Sequence, residues 1–561
     1  MGLIKRFACL LALCLAVSPA PASEVVPEVV FTEVRYAGDD GGPAVGPTQY
    51  RNPVIAGFYP DPSAIRVGDD FYLVTSTFGY FPGLPVFHSR DLVSWRQLGN
   101  AIDRPGQIDY GRDEVTRGLF AASISHHDGT FYIANTCFYC DGGNFIVTAK
   151  DPAGPWSDPV WLGFEGIDPS LFFDDDGRAW MVNNGIPQVP MRYDGHRAIW
   201  LQQFDAAAKK MVGPRAVLVD GGANPASKPE HVEGPHLFKR DGWYYLTAAE
   251  GGTGEQHAQM VWRSRRVTGP YAPSPGNPVL TQRDLDPART APITSTGHAQ
   301  FVELQDGSWW AVFLATRPYR GNQYNLGRET FLLPVTWRDG WPVVLPRGEP
   351  VPAVRERPAL PRDPQPLATS GPLQWRERFT TDTLPPQWMT IHPPQRAWFR
   401  TGAGGLRLTP SATPLGVHGG DGQPTYLAHR LQHHQATLTA TLAPFRPAAG
   451  ELAGLALLQN ESHHYVVGVE GSDSGPVVVL YRRAGQQDDV RGQRLARVEL
   501  PAFDRPVSLR FQLDGPRLDV FYATQPEQWL PLATGLDASL LSVDVAGGFI
   551  GNTFGPYAVR P

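Results

Sequence analysis

The chain has 561 residues, too many for one ordinary core, so two domains are the natural expectation. Hydrophobic residues at 42% and charged residues at 19% describe a packed globular protein and exclude a disordered one. A net charge of -6 with no basic run excludes the electrostatic footprint of a nucleic-acid binder.

Residues 1–22 read as a signal peptide. Lys5 and Arg6 make a basic start, 7–17 is apolar, and Ala20-Pro21-Ala22 is a small-residue cleavage site. The apolar run is too short to span a bilayer, so the expectation is a secreted or periplasmic protein with no membrane attachment after cleavage. Cleavage leaves two of the four cysteines, Cys137 and Cys140, and a local disulfide between them is open. One C-x-x-C supplies too few ligands for a structural zinc.

After a lead segment, 23–49, a repeat organises residues 50–345. An acidic or Gly turn followed by aromatic and apolar residues recurs five times: GDDFYLV, HDGTFYIA, DDGRAWMV, RDGWYYLT and QDGSWWAV. Asp-Gly with an aromatic or β-branched run is the chemistry of a hairpin. The second aromatics are Tyr72, Tyr132, Trp180, Tyr245 and Trp310, and a short strand precedes each turn. Five such units predict a five-bladed β-propeller; so many equal units are hard to fit in one sandwich.

Counting back 11 or 12 residues from each second aromatic reaches Asp61, Ala121, Asp168, Glu233 and His298. Each lies just before the first strand of its unit. The innermost strands of a propeller line its central channel, so these positions form a ring around it. Asp before Pro, as at Asp61 and Asp168, is ordinarily a turn former. Three acids converging on one cavity, however, must separate their pKa values. One acid kept protonated beside one kept ionised is what glycosidic hydrolysis requires. His298 reads equally as a packed core histidine or as a group orienting a carboxylate. Phe58, Tyr59, Phe78, Tyr80 and Phe81 suit a sugar's apolar C–H face, with ordinary core packing the alternative for at least half of them. No HExxH, P-loop, GxSxG or Rossmann fingerprint competes.

Residues 346–372 are Pro-rich and read as a linker. From 373 to 561, alternating segments such as ATLTATL, YVVGVE and VSLRFQL predict a β-sandwich. The chain is therefore expected to be all-β.

The run NPVIAGFYPDPSAIRVGDDFYLVTSTFGYFPGLPVFHSRDLVSW closely resembles the start of glycoside hydrolase family 43, in its β-xylosidase and α-L-arabinofuranosidase members. GIDPSLFFDDDG, EGPHLFKRDGWYYL, STGHAQFVELQDGSWWAVFLATRP and LGRETFLLPVTW resemble the same family in the same order. The resemblance implies inverting hydrolysis of terminal pentoses without a required cofactor. It implies Asp61 as general base, Glu233 as general acid, and Asp168 as the group that tunes and orients the acid. It also implies Arg328 and Phe78 as sugar contacts. His298 matches a pocket histidine, which in some relatives lies near calcium. Phe120 stands where many relatives carry Trp in a Trp-Ala-Pro motif, so the pocket wall at Phe120-Ala121-Ala122 is expected to differ. The C-terminal segment, ending AGGFIGNTFGPYA, resembles the concanavalin-like sandwich of these enzymes and is expected to close one side of the site or to act as a separate module. The substrate implied is an oligosaccharide or xylan chain. The leading expectation is a β-xylosidase and the alternative an α-L-arabinofuranosidase. More distant are an endo-acting arabinanase and a sugar-binding propeller without activity.

Overall fold

The computed structural model describes residues 27–111, 114–140, 142–418, 422–500 and 503–561. The leader expected at 1–22 lies outside these residues. Among those described, no helix is long and apolar enough to cross a membrane.

Five antiparallel sheets follow one another as the blades of a propeller. Their first strands are Ser63–Val67, Ser123–His127, Ile167–Phe173, Glu233–Arg240 and Thr294–Glu303. Each first strand packs on the next, and the fifth packs on the first. Two of the turns are two-residue loops with positive φ at both positions, Asp128-Gly129 (48° and 66°) and Asp241-Gly242 (51° and 71°). That geometry matches strand twist and is what Asp-Gly supplies.

Among the described residues, every blade is one continuous stretch of chain and no strand is exchanged to close the circle. A belt of side chains joins the blades instead. Ser63 Oγ donates to Gln300 Oε1 (2.5 Å), linking blade one to blade five. The Ile124 N–H donates to Ser63 Oγ (2.9 Å), and Ser123 Oγ donates to the Pro169 carbonyl (2.8 Å). Ser170 Oγ bonds His236 Nδ1 (2.9 Å), and the Ala299 N–H donates to Gln259 Oε1 (2.7 Å). Satisfied hydrogen bonds in a dry interior hold a unique arrangement, because losing one strands a buried polar group. Asn52 adds a staple, exchanging two hydrogen bonds of 3.0 Å with the Leu332 backbone in blade five.

The hairpin registers refine the ring. The second aromatics pair Tyr72↔Ile65, Tyr132↔Ser125, Trp180↔Phe172, Tyr245↔Phe238 and Trp310↔Val302. Four residues before each partner stand Asp61, Ala121, Asp168, Gly234 and His298. In blade four, the ring position is therefore Gly234, and Glu233 precedes it by one. Asp61, Asp168, Gly234 and His298 all turn through left-handed backbone, with φ of 53°, 55°, 59° and 50°. Such conformations are costly for residues other than glycine and concentrate at functional sites.

The C-terminal unit is a sandwich of two eight-stranded sheets. Val507–Asp514 shows why: in VSLRFQLD buried residues alternate with partly or fully exposed ones along its length. The propeller and the sandwich share strands. Val29–Gly38, from the lead segment, lies between Leu406–Leu408 and Gln435–Leu442 in one sheet. Tyr80–Phe81, from a blade-one loop, pairs with Met389–Ile391 at the edge of the other. Within the Pro-rich stretch, Val354–Glu356 pairs with Gln49–Arg51.

Candidate active site

A cavity of about 580 Å3 opens at the end of the propeller channel where the ring turns lie. Asp61, Asp168, Glu233, His298, Arg328 and Phe78 all line it, whereas Phe58, Tyr59, Tyr80 and Phe81 are buried in the core and do not. Phe120 lines it too, edge-on to Phe78 with ring centres 5.2 Å apart. Asp61, Asp168, His298 and Arg328 are buried, and Glu233 is partly buried.

Asp61 sits two residues before its strand. One carboxylate oxygen accepts from Arg328 Nη1 (2.7 Å) and the other from Ser76 Oγ (2.6 Å). His298 Nδ1 lies 3.9 Å from the Arg-bonded oxygen. Burial holds the His298 imidazole below its ordinary value. His236 behind it is pushed down to about 3, by burial and then by His298.

Asp168 accepts the Gly234 N–H at 3.1 Å. Gly234 cannot be replaced without strain. Its φ is left-handed, and a Cβ there would lie 2.7 Å from the His298 ring. The turn hands the carboxyl to the residue before it, Glu233. Burial first, and then the charge of Asp168, push Glu233 up to about 8; Arg328 and Arg197 oppose this. Asp168 is pushed up to about 7, by burial and then by Asp61. Near neutral pH this pair retains a proton, with Glu233 the stronger holder. The site thus pairs a proton donor with a carboxylate fixed by an arginine and a serine, the requirement for acid/base cleavage of an acetal.

The residues around His298 do not fit calcium. That ion takes 6–8 oxygen ligands. Here the neighbouring carboxylate is Asp61, whose two oxygens already accept from Arg328 and Ser76. Among the described residues, no group of three or more His, Cys, Asp or Glu could hold a metal.

Several lining residues were not singled out from sequence. Phe549 comes from the sandwich, inside the AGGFIGNTFGPYA ending, and stacks on Phe78 at 5.9 Å. Its carbonyl accepts from Arg328 Nη2 at 3.3 Å. The sandwich therefore forms one wall of the cavity. Arg117, Phe138, Asn184, Arg197 and the loop 251–256 complete it. Phe138 and Asn184 lie at the ends of the second strands of blades two and three, whereas Phe549, Arg117, Arg197 and 251–256 belong to loops whose paths no repeat predicts; of these, the AGGFIGNTFGPYA ending alone carries a sequence signal. Cys137 and Cys140 are joined in a disulfide beside Phe138.

The model of glycosyl hydrolases family 43 matches residues 50–342, and that of the beta xylosidase C-terminal concanavalin A-like domain matches residues 376–561. A xylosidase/arabinosidase of Butyrivibrio fibrisolvens is 38% identical over 517 residues, covering 90% of this chain and 95% of the relative. The non-reducing end alpha-L-arabinofuranosidase BoGH43B of Bacteroides ovatus is 40% identical over 424 residues, covering 74% and 75%. Among solved structures, a xylan beta-1,4-xylosidase from Bacillus halodurans superposes with a TM-score of 0.80 at 31% identity, covering 91% of this chain and 96% of the other. A GH43_12 retrieved from a capybara gut metagenome superposes at 0.88 with 34% identity, covering 95% and 100%.

Proposed function

The chain belongs to the glycosyl hydrolases of family 43, and from that premise we propose that it is an exo-acting, inverting pentosidase that removes terminal xylose from β-1,4-linked xylo-oligosaccharides. The observation that carries this reading is the pairing, in one cavity, of a Glu233 carboxyl pushed up to about 8 with an Asp61 carboxylate bonded by Arg328 and Ser76.

The terminal sugar occupies the floor, against the stacked Phe78 and Phe549 rings. Asp61 takes a proton from a water, whose oxygen attacks the anomeric carbon. The bond from that carbon to the leaving oxygen breaks, and Glu233 gives its proton to that oxygen. Asp168 keeps the acid protonated by its charge and holds the Gly234 turn that aims it. Arg328 anchors Asp61 and reaches the Phe549 carbonyl, so base and sandwich wall are fixed together.

Release of terminal α-L-arabinofuranose is the second reading, favoured by the printed activities of two relatives. The deciding assay compares nitrophenyl β-D-xyloside with nitrophenyl α-L-arabinofuranoside, with the first-formed anomer followed by proton NMR. A xyloside is expected to yield α-xylose first. Initial release of β-xylose would overturn inversion, and turnover of neither substrate would overturn the pentosidase reading.

Asp168→Asn is expected to have two measurable effects. Its charge is, after burial, the main reason Glu233 holds its proton. Without it, the alkaline limb of kcat/KM moves to lower pH. The second effect is on stability. Folded Asp168 keeps its proton up to about 7, whereas the unfolded chain releases it near 3.8. The folded state binds the extra proton between these values, so stability falls as pH rises through that window. Asn carries no such cost and can still accept the Gly234 N–H. The variant should be more stable than the wild type at neutral pH, a gap that closes below about pH 4. Thermal midpoints at the two pH values check it.

A further inference from the structure

Three successive residues of one loop are held by the sandwich, and the fourth enters the active-site cavity. Glu114 Oε1 lies 3.5 Å from His418 Nδ1. The Val115 N–H donates to Glu461 Oε1 at 2.7 Å. Thr116 Oγ1 accepts the Phe549 N–H at 2.7 Å. Arg117 then lines the cavity that holds Asp61 and Glu233. The loop's other side is pinned to the pocket floor. The Val115 carbonyl accepts the Gly79 N–H (2.9 Å), and Phe78 and Leu119 exchange backbone hydrogen bonds of 2.9 and 3.1 Å. A Cβ on Gly79 would lie 2.8 Å from Val115 Cα, so the loop and the Phe78 segment are in close contact.

Glu461 is an expensive residue for a sandwich to bury. It is 4% exposed, and its Oε2 is buried without a hydrogen-bond partner. Burial pushes its carboxyl up to about 7. Within the sandwich, Arg483 donates to the Glu461 carbonyl (2.8 Å) and its charge favours the ionised carboxyl, but the hydrogen bond to the carboxyl comes from the Val115 N–H, a buried donor that needs an acceptor. Arg117, half-buried, stands at the cavity mouth. Its guanidinium lies 5.8 Å from the Phe138 ring and 5.3 Å from that of Tyr139, which is 60% exposed. A terminal sugar fills the floor, so the next sugar of the chain must pass this mouth.

We propose that Glu461 is a positioning residue for the leaving-sugar side of the pocket, setting through the Val115 N–H the loop that presents Arg117 to the sugar beyond the scissile bond. This rests on the pentosidase reading above. The guanidinium fork suits a pair of neighbouring hydroxyls, and the Phe138 and Tyr139 rings suit a sugar's C–H face.

The test compares xylobiose and xylotriose with nitrophenyl β-xyloside, whose leaving group is a flat ring and not a sugar. Glu461→Ala is expected to lower kcat/KM on the oligosaccharides about tenfold or more, mainly through KM, as expected when a polar contact to substrate is lost. Nitrophenyl xyloside turnover should stay within about threefold, which also reports an intact fold. Glu461→Gln keeps an acceptor for Val115 and should restore oligosaccharide turnover. Arg117→Ala should lower the oligosaccharide-to-nitrophenyl ratio to a similar extent, and the double variant should add little to either single change. Parallel loss on both substrates, no loss on either, or additive effects would overturn the proposal. Should Glu461→Ala not fold, Glu461→Asp, which withdraws the acceptor by one methylene, carries the same test. A wild-type protein inactive on every pentoside would instead overturn the pentosidase reading.

Discussion

Asp61→Asn is expected to reduce kcat by about 10^4-fold, the upper range for loss of a positioned general base. Such a factor corresponds to about 5.5 kcal/mol of barrier. The substitution is nearly isosteric, so the propeller should still close around it. It removes the acceptor of a water's proton, and it also disturbs the local hydrogen bonds. Arg328 Nη1 and Ser76 Oγ both donate to this carboxylate. An amide offers one oxygen, so one of those donors must turn away. The lost charge has a second consequence. Asp61 helps to push up both Asp168 and Glu233. Both carboxyls should therefore release their protons at lower pH in the variant, a shift that carboxyl NMR can follow in the inactive protein. Near-normal turnover, with a thermal midpoint like that of the wild type, would remove Asp61 from the mechanism.

Glu233→Gln is expected to discriminate sharply between leaving groups. A sugar alcohol leaves poorly as an anion and needs the acid's proton, so turnover of xylobiose should fall by about 10^3- to 10^4-fold. Nitrophenolate is stable without that proton, so the nitrophenyl glycoside should lose no more than about 10^2-fold. What keeps the acid protonated and aimed is local: a partly buried carboxyl, a like charge on Asp168, and a Gly234 turn bonded to that same aspartate. Equal losses on the two substrates would show that Glu233 acts on something other than the leaving oxygen.

Much of the fold could be read from residues near each other in the chain. Asp-Gly turns and aromatic strands set the hairpins, and five hairpins set the blades. Asp61, Asp168 and His298 fall on the ring by counting alone. Glu233 shows where counting loses precision. An interval of 11 or 12 residues admits either Glu233 or Gly234, and the two-residue loop at Asp241-Gly242 decides for the glycine. That single residue of offset has a function. The left-handed turn falls on Gly234, against the His298 ring, and leaves the carboxyl on the residue before it.

The division between what local sequence dictates and what assembly dictates is sharpest at the pocket wall. The floor of the site belongs to the sequence itself, because backbone hydrogen bonds in each hairpin put one ring residue at one end of the channel. The mouth belongs to the tertiary structure. Phe549 reaches Phe78 from residues more than 450 positions away, Arg117 is placed by Glu461 and Thr116, and Tyr80–Phe81 leaves its blade to join the sandwich. No periodicity marks such residues, since each is positioned by contacts between elements remote in the chain. Three acids at a propeller centre were legible because repeats place them. Which sugar chain they meet is decided by loops that only the packing of sandwich on propeller brings together.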